Sequence, residues 1–228
     1  MKILKLITVI LVLSVSSYSY AGSNKGQFSG GKGNRNVQTQ QLSAEENESL
    51  LYMREEEKLA RDVYLTLYEF FGTNIFNNIA SAEQKHMNSM KRLLTKFRLE
   101  DPAIDDSIGA FTNPVFSKFY ENKTANEDIS IKEAILTGIL IEETDIMDIQ
   151  KDIALTDNPA IQDVYENLLR GSRNHLRAFV RKLESMGIVY EATVLDQSVA
   201  DAIVNSPTER GSSKRKGKGK GQKGRRWN

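Results

Sequence analysis

The sequence predicts an all-α protein built as a four-helix bundle. Four long segments carry apolar residues at helical spacing, each with its own start or stop signals, and no segment sustains the period-two alternation of a strand. The chain has 228 residues and no cysteine. Disulfides, thiol chemistry and cysteine-held metals are therefore excluded, and any metal must be bound through nitrogen and oxygen.

The elements follow in order. Lys2 and Lys5 precede an apolar run from Ile7 to Val15, and Ser19-Tyr20-Ala21 matches a small-x-small cleavage site. Residues 1–21 thus read as a signal peptide, too short in its apolar part to span a bilayer, and the mature protein is expected in the periplasm or outside the cell. Residues 22–42 are rich in Gly, Ser, Asn and Gln and read as a disordered linker. The folded domain is expected over 43–207, followed by a disordered Gly/Lys/Arg tail over 208–228.

Within the domain the first helix is predicted over 44–71, opened by the capping box Ser43/Glu46 and ended by Gly72. The second is predicted over 76–97. The third, over 130–155, opens on the capping box Ser130/Glu133. The fourth, over 159–186, has Asn158 as N-cap, Pro159 at its first position and Gly187 beyond its end. Short helices are expected near 114–120 and over 197–204. Helices one and two, and three and four, are joined by about four residues, which makes each pair an antiparallel hairpin. About 32 residues separate the hairpins, enough to cross the length of a bundle. Two hairpins joined by one long crossover is the ferritin-like arrangement.

Charge is segregated. All 30 acidic residues lie between positions 45 and 209, leaving the central region at about −12, while residues 214–228 hold eight basic ones.

Each helix has an apolar stripe, and the polar interruptions are informative. They are Glu57 in helix one, Glu83 and His86 in helix two, Glu142 in helix three, and Ser172 and His175 in helix four. All fall near the middle of their helices, so in an antiparallel bundle they meet at one level. The basic residues Lys58, Arg61, Lys85, Arg173 and Arg177 fall off the stripes. Buried carboxylates are paired, protonated or bound to metal; without basic partners on the stripes a divalent cation fits better, and carboxylate with imidazole suits iron, manganese or zinc. Glu83 and His86, three residues apart, share one helical face.

The segments LLYMREEEKLARDVYLTLYEFFG, IASAEQKHMNSM, GILIEETDIMDI and DNPAIQDVYENLLRGSRNHLRAF resemble a bacterial and archaeal family of ferritin-like domains of unknown function, over about residues 44–190. The resemblance implies relation to rubrerythrins, bacterioferritins and other di-iron carboxylate proteins. By position it implies Glu57, Glu83, His86, Glu142 and His175 as metal ligands, with Glu143 the alternative to Glu142. It also implies Tyr64 as a tyrosine standing behind the ligands. The pattern breaks at Ser172, where a carboxylate would stand. Two divalent ions carry four positive charges, and Glu57, Glu83 and Glu142 supply three negative ones.

The implied cofactor is iron, as a dinuclear or mononuclear site, or manganese. The expected function is that of an exported metalloprotein reacting with oxygen or peroxide, an oxidoreductase of ferroxidase, peroxidase or oxidase type. The alternative is a scaffold whose basic tail binds a polyanion such as a polysaccharide, a lipid head group or extracellular DNA, in a salt-sensitive way. A storage cage is a third reading, for which no assembly surface is marked.

Overall fold

The structure, a computed structural model, describes residues 42–125 and 128–211. The predicted signal peptide, nearly all of the linker and most of the basic tail lie outside the described residues. Those described form helices and no strand: α1 Ala44–Phe71, α2 Asn74–Phe97, α3 Pro114–Thr124, α4 Ile131–Leu155, α5 Pro159–Glu184 and α6 Gln197–Val204. None of these helices is long and apolar enough to cross a membrane.

The local signals act as expected. Ser43 and Ser130 each close a full capping box, and Asn158 accepts from the Ala160 N–H. Gly72, at φ 59°, takes the left-handed conformation that ends α1 and lets α2 start at Asn74, two residues earlier than the sequence suggests. α5 ends at Glu184, two residues before the expected Met186.

The helices touch in a closed circuit: α1 packs mainly on α2, α4 mainly on α5, and α1–α4 and α2–α5 contacts join the pairs. Leu50, Met53, Tyr64, Leu67, Ile79, Met90, Ile135, Ile146, Tyr165, Phe179 and Leu183 fill the space between them. Their burial, at roughly 1.5–3 kcal/mol for each large side chain, is the main stabilising contribution.

The link between α2 and α4 explains a feature the apolar stripes leave unexplained. Every α1 residue from Met53 to Tyr64 is buried, including the charged run Arg54–Lys58. One side of α1 faces the core, and its charged side is covered by the link. Arg54 pairs with Asp101 at 2.9 Å. Lys58, fully buried, donates to Asp62 at 2.6 Å and to the Ser107 carbonyl at 2.7 Å, and sits 4.6 Å from the centre of the Phe111 ring. Arg61 reaches Asp62 and Asp106, and Glu55 accepts from the Thr112 and Asn113 N–H groups at the start of α3. Off-stripe charges on α1 therefore hold the crossover down rather than face water.

Contacts to α5 continue as far as Glu209. The Glu209 carboxylate accepts from Arg173 at 2.5 and 2.8 Å and from Arg177 at 2.8 Å, and its N–H donates to Asn174. Arg177 is itself almost fully buried, donating also to the Ile203 carbonyl, so this contact ties the end of the domain to α5.

Candidate metal centre

Five side chains meet midway along the long helices. Glu57 comes from α1, Glu83 and His86 from successive turns of α2, Glu142 from α4 and His175 from α5. The three carboxylates are 1–2% exposed, and the two imidazoles are 14% and 11% exposed. All five residues expected at one level are thus together.

Their arrangement is two triads that share Glu83. Glu57, Glu83 and His86 each offer a ligand atom within 4.8 Å of the others, and so do Glu83, Glu142 and His175. Glu83 Oε2 lies 2.7 Å from His86 Nδ1, and Glu83 Oε1 lies 2.8 Å from His175 Nδ1. One carboxylate therefore faces both halves, one oxygen to each. Glu57 Oε2 is 3.2 Å from His86 Nδ1, and Glu142 Oε2 is 3.4 Å from His175 Nδ1. The imidazole rings are 5.7 Å apart between centres.

The donors are incompletely satisfied. Glu57 Oε1 is buried without a hydrogen-bond partner, and so is His175 Nδ1, which lies close to Glu83 but out of line for a hydrogen bond. Buried polar atoms are nearly always partnered, so these two atoms leave donor capacity at the cluster unused by the protein.

Electrostatics follow from the geometry. Burial pushes the Glu57 carboxyl up to about 8, with the negative charge of Glu83 adding to it and His86 opposing. Burial also raises Glu142, against the pull of His175. Burial works against charge on Glu83 as well, but two flanking imidazoles overcome it and hold this carboxyl well below its usual range. Burial alone would lower both histidines. Instead Glu57 and Glu83 hold His86 well above its ordinary value, and Glu83 and Glu142 raise His175 to about 10.

Neighbouring residues fix the donors. The Tyr64 hydroxyl donates to Glu142 Oε1 at 2.7 Å, and burial beside Glu142 keeps it protonated. Gly171 is there for space: a Cβ at this position would lie 2.4 Å from His86 Cε1 and 2.5 Å from Nε2. Gly171→Ala is expected to force His86 away from Glu57 and Glu83 and to destabilise the protein by about 1–3 kcal/mol, measured by denaturant unfolding.

Glu143, the alternative to Glu142, is turned away from the site. Its Oε1 accepts from the Tyr190 hydroxyl at 2.8 Å, and its Oε2 accepts from the N–H groups of Thr193, Val194 and Leu195 at 2.9, 2.6 and 3.1 Å. On a helix, adjacent residues point about 100° apart, so only one of the pair can face the centre. Glu143→Ala leaves the Tyr190 hydroxyl and the N–H groups of Thr193, Val194 and Leu195 without this acceptor. The expected cost is roughly 3–5 kcal/mol, with faster amide exchange at 193–195 and unchanged cation content.

The apolar stripes do not single out Asp145, which is buried beside the cluster and accepts a hydrogen bond from the Ser172 hydroxyl. A signal was available. Glu142, Asp145, Asp148 and Asp152 recur at intervals of three, three and four, a second helical face that runs beside Ile146 and Ile149. The buried basic residues do not serve the cluster: Lys58 and Arg61 bond to Asp62 and the link, and Arg177 bonds to the chain around Ile203–Glu209.

Residues 46–207, which include all five cluster residues, match the family model described as "Uncharacterized protein domain (DUF2202)". The chain is 49% identical over 175 residues to "Uncharacterized protein MJ0754" of Methanocaldococcus jannaschii, an alignment covering 77% of this chain and 95% of the relative. It is similar to the crystal structure of hypothetical protein MJ0754 from Methanococcus jannaschii DSM 2661, with a TM-score of 0.72, 49% identity, and coverage of 75% of this chain and 97% of that one. A family match over more than half the chain, joined by a relative at this identity, makes this chain a member of the family described as Uncharacterized protein domain (DUF2202).

Proposed function

We propose that this protein is a ferritin-like four-helix bundle, exported from the cell, that binds two divalent iron or manganese ions and reacts with oxygen or peroxide. The observation that carries this reading is the division of Glu83 between two buried Glu/His triads. A carboxylate with one oxygen toward each triad has the form of a bridge between two cations.

The donor set fits. Carboxylate oxygen and imidazole nitrogen suit Fe(II) and Mn(II), and the buried, unpartnered Glu57 Oε1 and His175 Nδ1 are free to ligate. Glu57 and His86 would hold one ion, Glu142 and His175 the other, and Glu83 both. Such ions supply electrons to a small oxidant. The protein's own part is to keep the donors dry, aligned and close: Tyr64 orients Glu142, and Gly171 leaves room for His86.

The test is elemental analysis of the purified protein, then anaerobic Fe(II) titration and exposure to oxygen or peroxide. About two equivalents of metal and a transient visible absorbance after oxidant support the reading. Absence of stoichiometric metal binding under these conditions ends it.

A further inference from the structure

We infer that Asp145, held in place by Ser172, is the fourth carboxylate of this centre and replaces the one that α5 does not provide. The inference rests on the two-cation reading above and adds a residue to it.

Ser172 lies on α5 one turn before His175, the relation that Glu83 has to His86 on α2. The two helices would be equivalent if position 172 were acidic. Instead Ser172 is fully buried, and its hydroxyl lies within hydrogen-bond reach of Asp145 Oδ2 across the helix contact and of the Leu168 carbonyl on its own helix, its one proton serving one or the other. Asp145 stands on α4 one turn beyond Glu142 and is 6% exposed. Its other oxygen, Oδ1, is buried and has no hydrogen-bond partner.

Among the described residues no basic side chain pairs with Asp145. After burial itself, the charges that act on it most are those of Glu57 and Glu142, followed by Glu83, all members of the cluster. A carboxyl placed among three others in a dry interior, with one oxygen tied and one free, either holds a proton or stands beside positive charge, and a cation at the cluster would supply that charge. Adding Asp145 brings the anionic charge to four, the charge of two divalent ions. The shortfall at Ser172 is thus made good from the neighbouring helix.

Metal stoichiometry tests this directly, with Mn(II) as the probe and calorimetry plus elemental analysis as readouts. Wild type is expected to take up two equivalents. Asp145→Asn, similar in shape, is expected to keep one and lose the second. Ser172→Ala is expected to weaken the second equivalent by about tenfold, because it frees Asp145 from its support. The exchange variant Asp145→Ala with Ser172→Glu puts a carboxylate back on α5 and is expected to restore two equivalents. This variant keeps the inference testable if Asp145→Asn does not fold. Two equivalents of unchanged affinity in Asp145→Asn, or failure of the folded exchange variant to regain the second, would overturn the role of Asp145. Wild type that binds no Mn(II) would instead remove the two-cation reading itself.

Discussion

Glu83→Gln is expected to abolish binding of both cations while leaving the helices intact. Glutamine keeps the size of the side chain, but only one of its two terminal atoms can accept. Both triads depend on Glu83, through Oε2 beside His86 and Oε1 beside His175. Glu57→Gln touches one triad only and is expected to remove about one equivalent. The difference between these variants is specific to a shared bridge: two independent sites would each lose a single ion. Glu83→Gln should also destabilise the cation-free protein by about 3–5 kcal/mol, because two buried imidazoles lose their common anion. Elemental analysis and urea unfolding of the two variants check both outcomes.

Cation binding is expected to release protons, and its affinity to rise steeply with pH. Without a cation, His86 and His175 hold protons near neutrality, since adjacent carboxylates raise both, His175 to about 10. Glu57, at about 8, holds one as well. Ligation requires all three groups to be deprotonated. Protons therefore leave as the ions bind, and the overall binding constant for the pair of ions should rise with pH near neutrality.

The same groups give the cation-free protein the opposite trend. His175 binds its proton more tightly folded than unfolded. Its contribution to stability is complete below about 6.5 and is lost as pH rises toward 10. Glu57, raised from 4.5 to about 8, has the same sign over that lower window. Chelator-treated protein should therefore melt at a lower temperature at pH 9 than at pH 6.5, and cation-loaded protein should resist that loss. Calorimetric titration in buffers of different ionisation enthalpy counts the protons. A release near zero at pH 7 contradicts this assignment of charge.

How much of this was readable in advance depends on the kind of signal. Helix ends were legible because caps are local: Ser43, Ser130, Asn158 and Gly72 act within one turn of themselves. The cluster was legible because Glu57, Glu83, His86, Glu142 and His175 break apolar stripes at matching depths. What the stripes hid is polar structure that lies beside them. Arg54, Glu55 and Lys58 look like part of a solvated face, and the docking of residues 99–113 buries them. Asp145 and Ser172 look unrelated because their contact crosses 27 residues of sequence. The apolar stripe favours Glu142 over Glu143, and the Thr193–Leu195 backbone, far along the chain, claims Glu143. Local geometry is written in neighbouring residues, whereas the partners of a buried charge are chosen by the tertiary fold.

The most direct test is anomalous X-ray scattering from crystals loaded with Mn(II) or Fe(II). Two peaks are expected in the interior, one near each oxygen of Glu83, the first beside Glu57 and His86 and the second beside Glu142 and His175. A fully loaded crystal with no peak at Glu83, or with metal bound only at surface carboxylates, would contradict the shared-carboxylate centre.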